Sequence, residues 1–168
     1  MKYTTLILTV IVSLTVFSNC KKHTERFSIT DNISIALPGD FKVVKSDTSY
    51  NILEATYKGD LINVFKVSIN LPDSLSIDLR KQAFVNNING FIRPFNLKNL
   101  DSTFLYQNGL MQNDIKFEFE SHGKQKDLFG RFYVIDKDFI AVCYQMTYPN
   151  EKKSLEFKDK LFSSIKLK

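Results

Sequence analysis

The ten residues Phe139-Ile140-Ala141-Val142-Cys143-Tyr144-Gln145-Met146-Thr147-Tyr148 decide the architecture, because both of their alternating faces are apolar. One face carries Ile140, Val142, Tyr144, Met146 and Tyr148; the other carries Phe139, Ala141 and Cys143. A strand has a side-chain period of two, so such a run must be covered on both sides. The stretch Asp114–Ser121, DIKFEFES, differs: Ile115, Phe117 and Phe119 face one way, and Lys116, Glu118 and Glu120 the other. It belongs at a place covered on one side, or near an edge. A small closed barrel leaves one face of every strand to solvent. The pair of patterns therefore predicts an α+β fold, an antiparallel sheet flanked by helices on both faces, with a lipocalin-like or half-open β-barrel as the alternative.

Working outward, strand signals recur in pairs. RFSIT and ISIAL are separated by Asp31-Asn32, and the second ends at Pro38-Gly39-Asp40. YNILEATY and LINVFKVSINL meet across Lys58-Gly59-Asp60, and DSTFLYQ and LMQNDIKFEFES meet across Asn108-Gly109. DLFGRFYVI reaches Phe139 through Asp136-Lys137-Asp138. Two stretches keep helical spacing instead. Between Asp73 and Phe95 the apolar positions are Leu79, Phe84, Ile88, Phe91, Ile92 and Phe95, with Asp73, Ser74 or Ser76 as the cap. After Asn150, Phe157, Leu161 and Ile165 recur every fourth position.

The chain begins with a different kind of segment. A single cation, Lys2, precedes an apolar run from Tyr3 to Phe17, the layout of a secretory signal. As a helix, the uncharged span from Tyr3 to Cys20 would run about 27 Å, just short of a bilayer core of about 30 Å, so a retained membrane anchor is the alternative. The junction Phe17-Ser18-Asn19-Cys20-Lys21-Lys22 favours cleavage, and it resembles a bacterial lipoprotein signal of the Bacteroidetes type. Phe17 and Asn19 stand where the usual pattern has Leu and Gly or Ala. The resemblance implies that Cys20 is acylated, with palmitate among its chains, and becomes the new N-terminus. The expected organisation is a signal peptide at 1–19, a lipidated tether at 20–26 and one globular domain at 27–168. It implies a lipoprotein of the cell envelope, held at the outer membrane and facing the periplasm.

A lipidated Cys20 leaves Cys143, the other cysteine, without a disulfide partner and reads it as a small buried hydrophobe. The mature chain loses Lys2 alone among its charges, so 22 basic residues face 18 acidic ones, a balance of +4. The excess is lysine, 19 against 4 arginines over the whole sequence, without the interleaved arginines and aromatics of a nucleic-acid surface. No nucleic-acid partner is expected.

Chemical signatures are missing. His23 and His122 have no acidic partner at ligand spacing, and Asp136 and Asp138 lack the rest of a calcium loop, so no metal site is expected. Glu118 and Glu120 share their strand face with Lys116 and read as wet surface. No GxSxG elbow or P-loop occurs. Neither catalytic residues nor a cofactor are expected, and the chain is not read as an enzyme. Asp73-Ser74-Leu75 and Asp101-Ser102-Thr103 resemble the short O-glycosylation signal of exported Bacteroidetes proteins. The fifteen phenylalanines suit core packing, and a pocket between the first helix and the sheet is the alternative use for them.

The strand ISIAL running into the corner Pro38-Gly39-Asp40-Phe41, and the closing segment LEFKDKLFSSIKL, resemble the PsbP and DcrB-like group. The resemblance spans essentially the whole mature chain. It implies an α/β/α sandwich with an accessory, assembly or binding role and no shared reaction. The expected function is a non-enzymatic envelope lipoprotein that binds a protein partner; the alternative is a carrier or sensor of an apolar small molecule.

Overall fold

A computed structural model describes residues 24–38, 42–44, 51–57, 59–69, 71–72, 74–95, 97–107, 110–135, 137–146 and 152–168. The segment expected as a signal peptide, Cys20 and residues 21–23 of the expected tether lie outside the described residues. In chain order the elements are β1 (Thr24–Ser28), β2 (Ile33–Pro38), β3 (Lys42–Val44), β4 (Asn51–Tyr57), β5 (Asp60–Ser68), α1 (Ile77–Ile92), β6 (Lys98–Gln107), β7 (Leu110–Ser121), β8 (Lys124–Ile135), β9 (Asp138–Gln145), α2 (Lys152–Ser163) and β10 (Lys166–Leu167). A 3-10 turn, Arg93–Phe95, extends α1. Because β1 opens at Thr24, it takes in Thr24, Glu25 and Arg26, and so begins ahead of the residue-27 domain start expected from the sequence.

Seven strands form one antiparallel sheet in the order β3-β4-β5-β9-β8-β7-β6. Its end strands, β3 and β6, do not pair with each other, so the sheet is open and the barrel alternative falls. β9 lies inside it between β5 and β8, which is where a strand with two apolar faces has to be. Phe139, Ala141 and Cys143 enter a core beneath α1 with Phe84 and Ile88. Ile140, Val142 and Tyr144 enter a second core on the opposite face with Leu161 and Phe162 of α2.

Both faces are thus covered, and the second cover is composite. β1, β2 and β10 make a separate three-stranded sheet, so the first hairpin of the chain does not join the main sheet. Ile33, Ile35 and Leu37 of β2 share the α2 core. Ser164, just after α2, stitches helix to small sheet: its hydroxyl accepts from Ala36 N and lies within bonding distance of Ala36 O, both at 3.1 Å.

The β7–β8 turn is a two-residue connection with both central residues in the left-handed region, His122 at φ 55° and Gly123 at φ 70°. That backbone twist matches the twist of the flanking strands. It places His122 at an exposed turn, its Nδ1 3.1 Å from Ser121 Oγ.

Candidate functional site

Ser76 begins α1, its hydroxyl accepting from Leu79 N at 3.4 Å. This settles the cap among the three expected; Ser74 is exposed in the preceding turn and Asp73 lies outside the described residues. Four residues apart, Phe84 and Ile88 turn to the sheet and are fully buried. Aromatic contacts lock the helix in place: Phe84 to Phe139 at 6.2 Å, Phe91 to Phe65 at 5.0 Å and Phe91 to Phe132 at 5.9 Å between ring centroids. Phe132 in turn meets Phe117 at 6.3 Å. These phenylalanines are core, as the packing reading expects.

The other flank of α1 is not filled. Lys81, Gln82, Val85 and Asn89 overhang Ser102 and Phe104 of β6 and Asn113 and Ile115 of β7, enclosing an open groove of ≈ 450 Å³. Its walls are apolar and wet: Val85 is 42% and Phe104 38% exposed, although Phe104 packs at 6.0 Å against buried Phe84. At its floor the Ser102 hydroxyl donates to the buried Asn113 Oδ1 at 2.9 Å, which satisfies both groups. At its mouth the Lys81 ammonium sits over two rings, 5.8 Å from Phe104 and 5.9 Å from Tyr106. Beyond these rings the sheet ends. β6 is an edge strand, and every residue from Asp101 to Gln107 is exposed.

The polar residues elsewhere are occupied in structure. Asp60, buried at the start of β5, accepts from the Tyr144 hydroxyl and, at 2.9 Å, from Ser154 of α2. Burial pushes the Tyr144 hydroxyl well above its ordinary pKa, and the bond to Asp60 adds to the rise. On the α2 face, Arg131 donates to both oxygens of Asp114 at 2.7 and 2.6 Å, and to Phe162 O at 2.9 Å. Burial disfavours its charge, and Asp114 more than offsets that. Lys116 pairs with Asp127 at 3.0 Å.

The residues weighed from the sequence do not converge. Cys20 and His23 lie outside the described residues. Cys143 is buried in the α1 core, where burial raises its thiol to about 12, so it carries no thiolate near neutral pH. Asp138 accepts from Ser68 at 3.0 Å and pairs with Lys66 at 3.3 Å, which makes it a clasp between β9 and β5; Asp136 lies outside the described residues. Glu118 is half-buried and Glu120 exposed. Among the described residues no group of three or more His, Cys, Asp and Glu could hold a metal ion, and no helix is long and apolar enough to cross a membrane. The groove lining itself was not legible in the sequence. Its one signal was Phe104-Leu105-Tyr106, three apolar residues that break the alternation of DSTFLYQ.

No protein-family model matches the sequence, and no curated protein matches it. Solved structures do match the fold. The solution structure of cyanobacterial PsbP (CyanoP) from Synechocystis sp. PCC 6803 aligns with TM-score 0.64 at 10% identity, over 90% of this chain and 96% of that one. LpqN of Mycobacterium tuberculosis, a protein involved in cell envelope biogenesis, aligns with TM-score 0.60 at 8% identity, over 86% of this chain and 91% of that one. A protein of Bacteroides thetaiotaomicron VPI-5482 aligns with TM-score 0.54 at 11% identity, over 86% of this chain and 48% of that longer one. An open antiparallel sheet with a helix on each face, and these neighbours, make the domain PsbP-like in fold.

Proposed function

We propose that this chain is a lipid-anchored, non-catalytic protein of the cell envelope whose PsbP-like domain docks a protein partner in the groove between α1 and β6. The observation that carries the reading is the groove itself, an apolar surface left open beside an edge strand. Contiguous exposed apolar surface of this kind marks interaction sites. The export-type N-terminus, and a fold shared with an envelope-biogenesis protein, support placing it in the envelope. Support for a non-catalytic role comes from the groups suited to chemistry: Cys143 is buried and protonated, and Asp60, Arg131 and Asp114 are tied up in structural bonds.

Binding of an apolar small molecule is the second reading. The groove volume falls within the roughly 300–1,000 Å³ of small-molecule sites, and Val85, Ile88, Phe104 and Ile115 would line it. One experiment separates the two. A photo-crosslinking amino acid is placed at Val85 in living cells, with the same group at exposed Lys160 of α2 as the control. An adduct of protein size from Val85 and not from Lys160 is the expected result. A lipid-sized mass increment at Val85 would favour the second reading, and equal labelling from both positions would remove the groove from consideration.

A further inference from the structure

We infer that the groove takes an extended strand: a partner segment adds to the free edge of β6, lays alternate apolar side chains over Phe104 and Val85, and sets a carboxylate against Lys81. The inference rests on the protein-partner reading above and specifies the partner's chemistry.

The edges of the two sheets are unequal. β3 is 3 residues long and β10 is 2, both too short to template another strand. β1 has 5 residues, with Glu25 and Arg26 among them. β6 has 10. Proteins blunt long edges with proline, lysine or bulges, and from Asp101 to Gln107 this edge has no proline and no lysine. Its one irregularity falls earlier, between Asn99 and Asp101. Beyond it β6 pairs regularly with β7 on one side and on the other presents a row of N–H and C=O groups that no strand among the described residues pairs with, the template used in strand addition.

An added strand would alternate its side chains between two environments. Ser102, Phe104 and Tyr106 pair with Ile115, Asn113 and Met111 and so share the α1 face, whereas Asp101, Thr103 and Leu105 share the other. Residues directly opposite in a ladder keep the same face and lie about 4.5–5.5 Å apart at Cβ. Every second residue of the newcomer would therefore reach Phe104 and the helix flank at Val85.

Charge specifies the rest. Lys81 is held at the mouth of the groove by two aromatic rings and makes no ion pair among the described residues. A carboxylate on the α1 face of the added strand would complete it. A second copy of this chain pairing through its own β6 cannot supply one: the sole acid of that strand, Asp101, belongs to the opposite face, beside Arg131 and Lys158.

The test uses the purified mature chain and a displayed library of random nonapeptides, with binding of the enriched peptides measured by fluorescence anisotropy. Enriched peptides are expected to carry apolar residues at alternate positions and an Asp or Glu in the same frame. Lys81→Gln should weaken them roughly two- to fivefold. Lys81→Glu should select Lys or Arg in place of the acid, a swap that a merely destabilised variant would not show. N-methylation at every second peptide nitrogen should abolish binding, and methylation of the alternate set should leave it intact. Indifference to N-methylation, or to both Lys81 variants, overturns strand addition. So does concentration-dependent dimerisation abolished by Phe104→Asp, which would make the occupant a second copy. If Val85 crosslinks a protein in cells while no such peptide is enriched, the strand fails and the docking reading stands; if Val85 crosslinks nothing, both fail.

Discussion

Asp60 ties three elements together, since the carboxylate on β5 holds the hydroxyls of Tyr144 on β9 and Ser154 on α2. Asp60→Ala leaves the buried Tyr144 hydroxyl and the half-buried Ser154 hydroxyl without it, and should cost about 1–3 kcal/mol. An unchanged urea midpoint would show that the clasp carries no stability. At Gly130 the limit is space. A Cβ there would come within 2.6 Å of Phe132 Cε2, and Phe132 is held between Phe91, Phe117 and Phe139. Gly130→Ala should therefore cost about 1–3 kcal/mol, read from the same denaturation curves. The side on which each β9 residue falls was legible from alternation alone. That Gly130 must stay small was not, because it depends on where a ring two residues away comes to rest.

At the scale of elements, the two helices were legible as helices, but the length of their buried stripes was not. Ile77 lies seven and eleven residues before Phe84 and Ile88 and so on their side of the helix, yet it is 49% exposed. Leu79, about 140° and 180° round from them, faces away and is 50% exposed, whereas Leu161 of α2 is 2% exposed. Leu161→Ala should accordingly cost about 2–4 kcal/mol, and Leu79→Ala should stay within about 0.5 kcal/mol apart from its gain in helix propensity. Equal losses by thermal unfolding would contradict the placement of α1. Gly90 points into open space in the last turns of α1 with no positive φ. Gly90→Ala should raise stability by roughly 0.5–1 kcal/mol, because alanine loses less backbone freedom on entering a helix. The first turn of α1 runs past the covered part of the sheet, and periodicity carries no information about where the surface beneath a helix ends.

For the whole molecule, pH dependence follows from burial. Burial raises Cys143 from 9.0 to about 12 and Tyr133 from 10.0 to about 12. In each case the unfolded chain loses its proton first, so the stability these groups contribute is complete below the unfolded pKa and declines as pH rises toward the folded one. Urea midpoints should begin to fall near pH 9, and in Cys143→Ala nearer pH 10, the value for an unfolded tyrosine. A decline that starts at the same pH in both chains would exclude the thiol as its cause. The proposed anchor has its own test: Cys20→Ala should move the protein from the detergent phase to the aqueous phase, and an intact 1–20 peptide on the mature protein would contradict lipidation. By itself the sequence determined the two-faced strand, the one-faced strand, the hairpins and the two helices, because each is set by side-chain period and turn chemistry within a few residues. Only the tertiary structure decided that the first hairpin forms a sheet of its own with β10, that α1 leaves one flank open, and that β6 ends the sheet beside Lys81. Those features depend on which strand lies next to which, and strand order is a property of contacts between residues far apart in the chain.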